Sequence, residues 1–215
     1  MKKIPIFVLP ITLFSMTLFA QNAARVTRTT EKSAIHVPPA DPAKGLQTIY
    51  TNLGKSKTDL YNDTNGWRVS GPASVKKTQY IGMPFTPKSN SHVTEVQVAV
   101  QYNGSGANQV NLSLYSDTGG APGTLLVGPV TITNLPGSGT CCTLTSALFT
   151  ATVVTATTQY WVVADTPASG TGSDFLGIWD FVAVTPLQAG DVGAGWLPIT
   201  GYETEAAGRV LGTIP

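Results

Sequence analysis

The clearest pattern along the chain is alternation with period two. From Thr94 to Tyr102 the residues Val96, Val98, Val100 and Tyr102 fall on one face, while Glu95, Gln97 and Gln101 fall on the other. A strand with one side against a core and one side toward water requires this arrangement. Val110, Leu112 and Leu114 repeat it opposite Asn111 and Ser113. The connection Asn103-Gly104-Ser105-Gly106-Ala107-Asn108 is made of residues that accept positive φ, so the two strands are predicted to pair as a hairpin. Further strands are predicted over 79–85, 129–134, 144–151, 159–164, 175–179 and 209–213. Clusters of Gly, Pro, Ser and Thr over 117–123, 135–139 and 166–172 separate them. No window of a dozen residues carries a helical stripe, and no internal repeat is evident. The pattern therefore predicts an all-β fold, an antiparallel β-sandwich of jelly-roll-like form.

The first 47 residues depart from this pattern. Met1-Lys2-Lys3 precedes an uncharged apolar run from Ile4 to Phe19, closed by Ala20-Gln21. A short positive head, an apolar stretch and a small residue at its end read as a cleaved signal peptide over 1–20. Pro5, Pro10, Thr12, Ser15 and Thr17 dilute the run and argue against a permanent anchor. No Cys follows the run and no second long apolar stretch appears, so the mature chain is expected to be soluble, without a membrane anchor, and secreted or periplasmic. Residues 21–47 hold few large apolar side chains and read as a flexible leader, leaving 48–215 as a single β-sandwich domain.

The formal charge of +1 conceals an asymmetry. Residues 21–88 hold ten Lys or Arg against four Asp or Glu, whereas residues 89–215 hold one against eight. This reads as a basic leading stretch before an acidic sandwich. No basic stripe interleaved with aromatic residues is present, so no nucleic-acid partner is expected.

Catalytic signatures are sparse. There is no Gly-x-Ser-x-Gly elbow and there are only two histidines, His36 in the leader and His92 just before a strand. Two distant histidines and two adjacent cysteines assemble no zinc site of ordinary spacing, so no metal ligand set and no cofactor are expected. A structural calcium ion is a softer reading, since Asp59, Asp63, Asp117, Asp174, Asp180 and Asp191 are hard oxygen ligands in loop-like contexts. Glu203 and Glu205 could form a glycosidase-like carboxylate pair, but their surroundings read as a loop with solvated charges. Cys141 and Cys142 are the only thiols, and export permits oxidation. Adjacent Cα atoms lie about 3.8 Å apart across a trans peptide, short of the roughly 4.4–6.8 Å usual for a disulfide. A vicinal disulfide is the first reading, with reduced thiols or an intermolecular bridge as the alternatives.

Four tryptophans supply the remaining chemistry. Trp161 lies in an apolar strand and reads as core. Trp179 beside Asp180, Trp196 after Gly195, and Trp67 after Asn-Gly are the candidate ligand-binding residues, because an aromatic face beside a hydrogen-bonding side chain can stack on a sugar ring.

Several segments resemble one known family. Asn65-Gly66-Trp67-Arg68-Val69-Ser70-Gly71-Pro72, Met83-Pro84-Phe85-Thr86-Pro87, and Leu114-Tyr115-Ser116-Asp117-Thr118-Gly119-Gly120-Ala121-Pro122-Gly123 are similar to the bacterial secreted domains called choice-of-anchor R. Asn134-Leu135-Pro136 before Cys141-Cys142, and then Gln159-Tyr160-Trp161-Val162-Val163, continue the likeness in the same order over roughly 49–213. The resemblance implies an exported β-sandwich of the binding kind, with no catalytic residues to carry over. The family usually bears a C-terminal sorting signal, whereas this chain ends at Gly212-Thr213-Ile214-Pro215, which makes free secretion or periplasmic residence the expectation. The expected function is a non-catalytic exported module that binds a glycan or envelope polymer. A polysaccharide-active jelly-roll enzyme and a purely structural envelope or appendage component are the alternatives. Oligomeric state is not legible.

Overall fold

The computed structural model describes Val26 and residues 28–30, 35–36, 45–183, 188–199 and 203–215. The predicted signal peptide lies outside the described residues, as does most of the predicted leader. In chain order the strands are β1 (Arg28–Thr30), β2 (Ile35–His36), β3 (Gln47–Thr51), β4 (Asn62–Ser70), β5 (Tyr80–Phe85) and β6 (Ser91–Val98). They continue with β7 (Val100–Ser105), β8 (Gln109–Asp117), β9 (Pro122–Thr133), β10 (Thr140–Cys141), β11 (Thr145–Val154) and β12 (Tyr160–Asp165). The last are β13 (Leu176–Val182), β14 (Gln188–Asp191), β15 (Trp196–Ile199), β16 (Glu205–Ala206) and β17 (Gly208–Thr213). No helix occurs among the described residues.

These strands form a β-sandwich. One layer is a six-stranded sheet in the order β15-β14-β5-β12-β8-β9. The other is made of β11-β6-β17-β3 and β1-β4-β13-β16, the latter joined by β7. Successive strands alternate between layers, from β4 to β5 to β6 and again from β11 to β12 to β13, which is the jelly-roll-like connectivity. The two parts of the second layer meet at one junction. There Ala99 N donates to Ala207 O at 3.1 Å, Asp180 N to Ala99 O at 3.0 Å and Ala207 N to Asp180 O at 2.8 Å. Three strands thus change partners without leaving these backbone groups unpaired, which burial demands.

Between the layers lies one continuous core. Ile81, Met83, Phe85, Leu112, Leu114 and Val162 of the six-stranded sheet face Val96, Val98, Val210, Trp67 and Trp179 of the other. Phe85 stacks on Tyr160 with ring centroids 5.6 Å apart and lies 6.1 Å from Tyr50 of β3. Val96, Val98 and Val100 are buried as predicted, but the face predicted toward water is not exposed. Glu95, Gln97 and Gln101 are buried as well, with Gln97 Nε2 donating to Glu95 Oε1, and the strand breaks at Ala99 so that Val98, Ala99 and Val100 are buried in succession.

The predicted hairpin through 103–108 does not form. β7 pairs with β13, whereas β8 pairs with β12 and β9, so this connection crosses between layers. Glycines at positive φ serve a crossover as well as a tight turn: Gly106, at φ +77°, passes so close to the Asp174 carbonyl that any Cβ would collide with it. Two short stretches of the predicted leader carry strand pairing, β1 against β4 and β2 parallel to β10.

Candidate functional site on the outer face of the six-stranded sheet

The six-stranded sheet is apolar on both faces over part of its width. Tyr160, Val162 and Ala164 of β12 point into the main core, so Trp161, Val163 and Asp165 point outward. Outside, Trp161 and Val163 form a second, smaller cluster with Ala121 and Ala189, covered in part by Tyr115 and Trp196. Trp161 is fully buried although it lies on the outer face. Ala121 of the 118–123 segment covers it together with Tyr115 and Trp196. Asp117 Oδ1 accepts hydrogen bonds from Trp161 Nε1 at 2.8 Å and from Gln159 Nε2 at 2.7 Å, and Oδ2 accepts from Gly120 N at 3.3 Å. Asp117 therefore ties the glycine-rich loop to the ring beneath it.

Beside this cluster a row of polar and aromatic side chains crosses the sheet. Asp191 of β14 pairs with Trp196 of β15 on one side and Tyr80 of β5 on the other. Asp165 of β12 pairs with Asn111 of β8, and Asn111 with Thr131 of β9. Thr131 Oγ1 donates to Asn111 Oδ1 at 2.9 Å, which leaves the Asn111 amide to donate to the Asp165 carboxylate. Tyr80 OH shares a hydrogen bond with Thr166 Oγ1 at 3.3 Å. Asp191 Oδ1 accepts from the amides of Gly193, Ala194 and Gly195 at 2.7, 3.1 and 3.0 Å, fixing the turn that presents Trp196.

Burial raises the Asp165 pKa to about 6, against the stabilising hydrogen bond from Asn111. The Tyr80 and Tyr115 hydroxyls are likewise pushed up by burial, and the negative charge of Asp165 adds to the rise of both. Asp165 thus sits within electrostatic reach of two phenol rings, one on each neighbouring strand. The arrangement offers half-buried aromatic surface at Trp196, Tyr80 and Tyr115 beside hydrogen-bonding groups at Asp165, Asp191 and Asn111.

The structure distributes the sequence-predicted site residues unevenly. Trp196 lies at this outer face. Trp67 and Trp179 do not: both are fully buried, cross-strand partners on β4 and β13 in the main core. Trp179 Nε1 donates to Ala207 O at 2.9 Å within the junction of the second layer. Asp180 is also buried and belongs to that junction through its backbone. These three are corrected from ligand-binding to structural positions. Gly66, next to Trp67, lets the two strands approach, since a Cβ there would overlap Ile178.

Cys141 and Cys142 are joined as a vicinal disulfide, buried, with a cis peptide between them and Cα atoms 3.0 Å apart. The carbonyls flanking the pair are held by neighbours, since Tyr61 OH donates to Thr140 O and Thr143 O, both at 3.0 Å. His92 is exposed and lies within β6 rather than just before a strand. The backbone of His36 lies in β2. Glu203 is exposed, but Glu205 is not solvated: it is buried on β16, accepts a 3.0 Å hydrogen bond from Tyr50 OH, and has its pKa raised to about 7, chiefly by desolvation. The two acids therefore do not face a common cleft. Among the described residues no three His, Cys, Asp or Glu side chains converge as a metal site. A separate cavity of about 440 Å³, lined by Asn52, Tyr61, Asn62, Asp63 and Val182 among others, lies on the other layer.

Sequence reasoning missed Tyr80, Tyr115, Asp165 and Asn111. Period-two alternation does place Trp161, Val163 and Asp165 on one face, but an apolar run such as Tyr-Trp-Val-Val-Ala does not reveal that its second face is partly open.

These features define an all-β sandwich with an aromatic and acidic row on one outer sheet face. Comparison of the chain with protein-family models, with curated proteins and with solved structures finds no match.

Proposed function

We propose that this protein is an exported, non-catalytic β-sandwich module that binds a carbohydrate chain or another cell-envelope component on the outer face of its six-stranded sheet. One observation carries the reading: Trp196, Tyr80 and Tyr115 present half-buried rings beside Asp165, Asp191 and Asn111 on a sheet whose opposite face is already fully used by the core. A sugar ring needs an apolar face to stack on and acceptors for its hydroxyl protons at the edge, and this row supplies both. A rigid sheet also holds them without an ordering cost on binding. Export, secreted or periplasmic residence and kinship with the choice-of-anchor R domains belong to the same proposal. The signal-like first 20 residues and the segment likenesses support them.

The test is a glycan-array screen of the mature protein followed by calorimetry on any hit, with Trp196→Ala alongside. Binding lost in Trp196→Ala while the thermal transition moves little supports the site. Binding unaffected by that change places the site elsewhere, and turnover of a polysaccharide abolished by one carboxylate substitution overturns the non-catalytic reading.

A further inference from the structure

We infer that the ligand of this face is a chain of amino sugars bearing free ammonium groups. The inference rests on the binding reading above and sharpens it to a chemical class. The strands of the six-stranded sheet, taken together, contain three Asp and no Lys, Arg or His. All three acids, Asp117, Asp165 and Asp191, fall on the outer face. Each is held in place: Asp117 by Trp161 and Gln159, Asp191 by the amides of its turn, and Asp165 by Asn111, which Thr131 in turn orients. The strands of this face therefore carry negative charge on fixed groups and no cationic side chain.

Aromatic surface interleaved with that charge is what recognises an ammonium ion. Asp165 lies near the rings of Tyr80 on β5 and Tyr115 on β8, and Asp191 lies near Tyr80 and pairs in register with Trp196. An ammonium group over such a ring gains from the ring quadrupole as well as from the carboxylate. Half-burial makes the Asp165 charge costly in the free protein, and an incoming cation offsets that cost. A uronic-acid chain would be repelled. A neutral or N-acetylated chain would stack on the rings but leave the carboxylate uncompensated. The amino-sugar chain alone satisfies both the rings and the acids.

Calorimetry of the full mature chain near neutral pH tests this with four probes: a glucosamine tetramer, its N-acetylated counterpart, a galacturonate tetramer and tetralysine. The expected result is about tenfold tighter binding of the glucosamine tetramer than of the N-acetylated one, the size of two half-exposed charge pairs. That preference shrinks as ionic strength rises from about 0.01 to 0.15 M and the screening length falls from about 30 to 8 Å, a readout that needs no variant. In Asp165→Asn one of the two charge pairs is lost and the preference falls to about threefold, still through Trp196. Equal or tighter binding of the N-acetylated or galacturonate chain overturns the inference and leaves the glycan-binding reading intact. Tetralysine matching the glucosamine tetramer, independently of Trp196, overturns it in favour of a cationic peptide. Failure of every sugar chain to bind overturns both.

Discussion

Glu205 offers the sharpest test of the energetics. The residue is 4% exposed, and its carboxyl accepts from Tyr50 OH at 3.0 Å and has its pKa raised from the ordinary 4.5 to about 7. Desolvation is the main cause, and the hydrogen bonds from Tyr50 and Asn52 oppose it. Between about 4.5 and 7 the native state keeps a proton that the unfolded chain has released, so unfolding releases that proton and stability falls as pH rises through the window. Moving the ionisation this far corresponds to about 3 kcal/mol, at about 1.4 kcal/mol for each tenfold change in the acid constant. Glu205→Gln keeps the shape and the acceptor for Tyr50 but cannot ionise. Urea unfolding of both proteins at a series of pH values is the assay. The variant should match the wild type below about pH 4.5 and exceed it by up to about 3 kcal/mol above about pH 8. Asp165, also raised, lowers stability with the same sign, but it is common to both proteins and cancels in the difference. Tyr50→Phe removes a donor that favours the ionised form and should move the window to higher pH. A stability difference that is flat with pH, or a variant that is less stable above about pH 8, would refute the reasoning.

Other expectations concern the core and the face. Trp179→Ala and Trp67→Ala should each cost about 3–5 kcal/mol in chemical denaturation, because both rings are fully buried, and Trp179→Phe should lose less. Trp196→Ala should cost under about 2 kcal/mol, since its ring is half-buried and only covers the outer cluster. Gly106→Ala should destabilise by more than about 1 kcal/mol, combining positive φ with a collision at the Asp174 carbonyl, whereas Gly104→Ala, at positive φ in open space, should cost less. Binding of a cationic probe should weaken as pH falls through about 6, as Asp165 takes up a proton beside Tyr80, Tyr115 and Asn111; calorimetry at about pH 5 and about pH 7 measures it.

Much of the fold follows from local pattern. Period-two alternation in 94–102 and 110–114, with turn clusters between apolar runs, specifies strands because side-chain direction alternates wherever the backbone is extended. The sandwich follows from strands that each have one face to bury, and the adjacency of Cys141 and Cys142 suffices to propose their bond. Pairing was not legible in this way. Whether 103–108 closes a hairpin or crosses between layers depends on β13 and β12, distant in sequence, which capture β7 and β8 respectively. Accessibility is also a property of what packs on top. Trp67, Trp179 and Trp196 each follow or precede a glycine, aspartate or turn in the sequence, yet β4 and β13 bury the first two against each other while a short hairpin leaves the third half-open. Glu205 shows the same for charge: nothing local marks it, and only the closure of β16 against β13, with Tyr50 arriving from β3, takes its carboxyl out of water. A sequence determines which side chains share a strand face, because that is set by neighbours one and two residues away. Which face meets solvent is decided by distant segments, through the burial they supply or withhold.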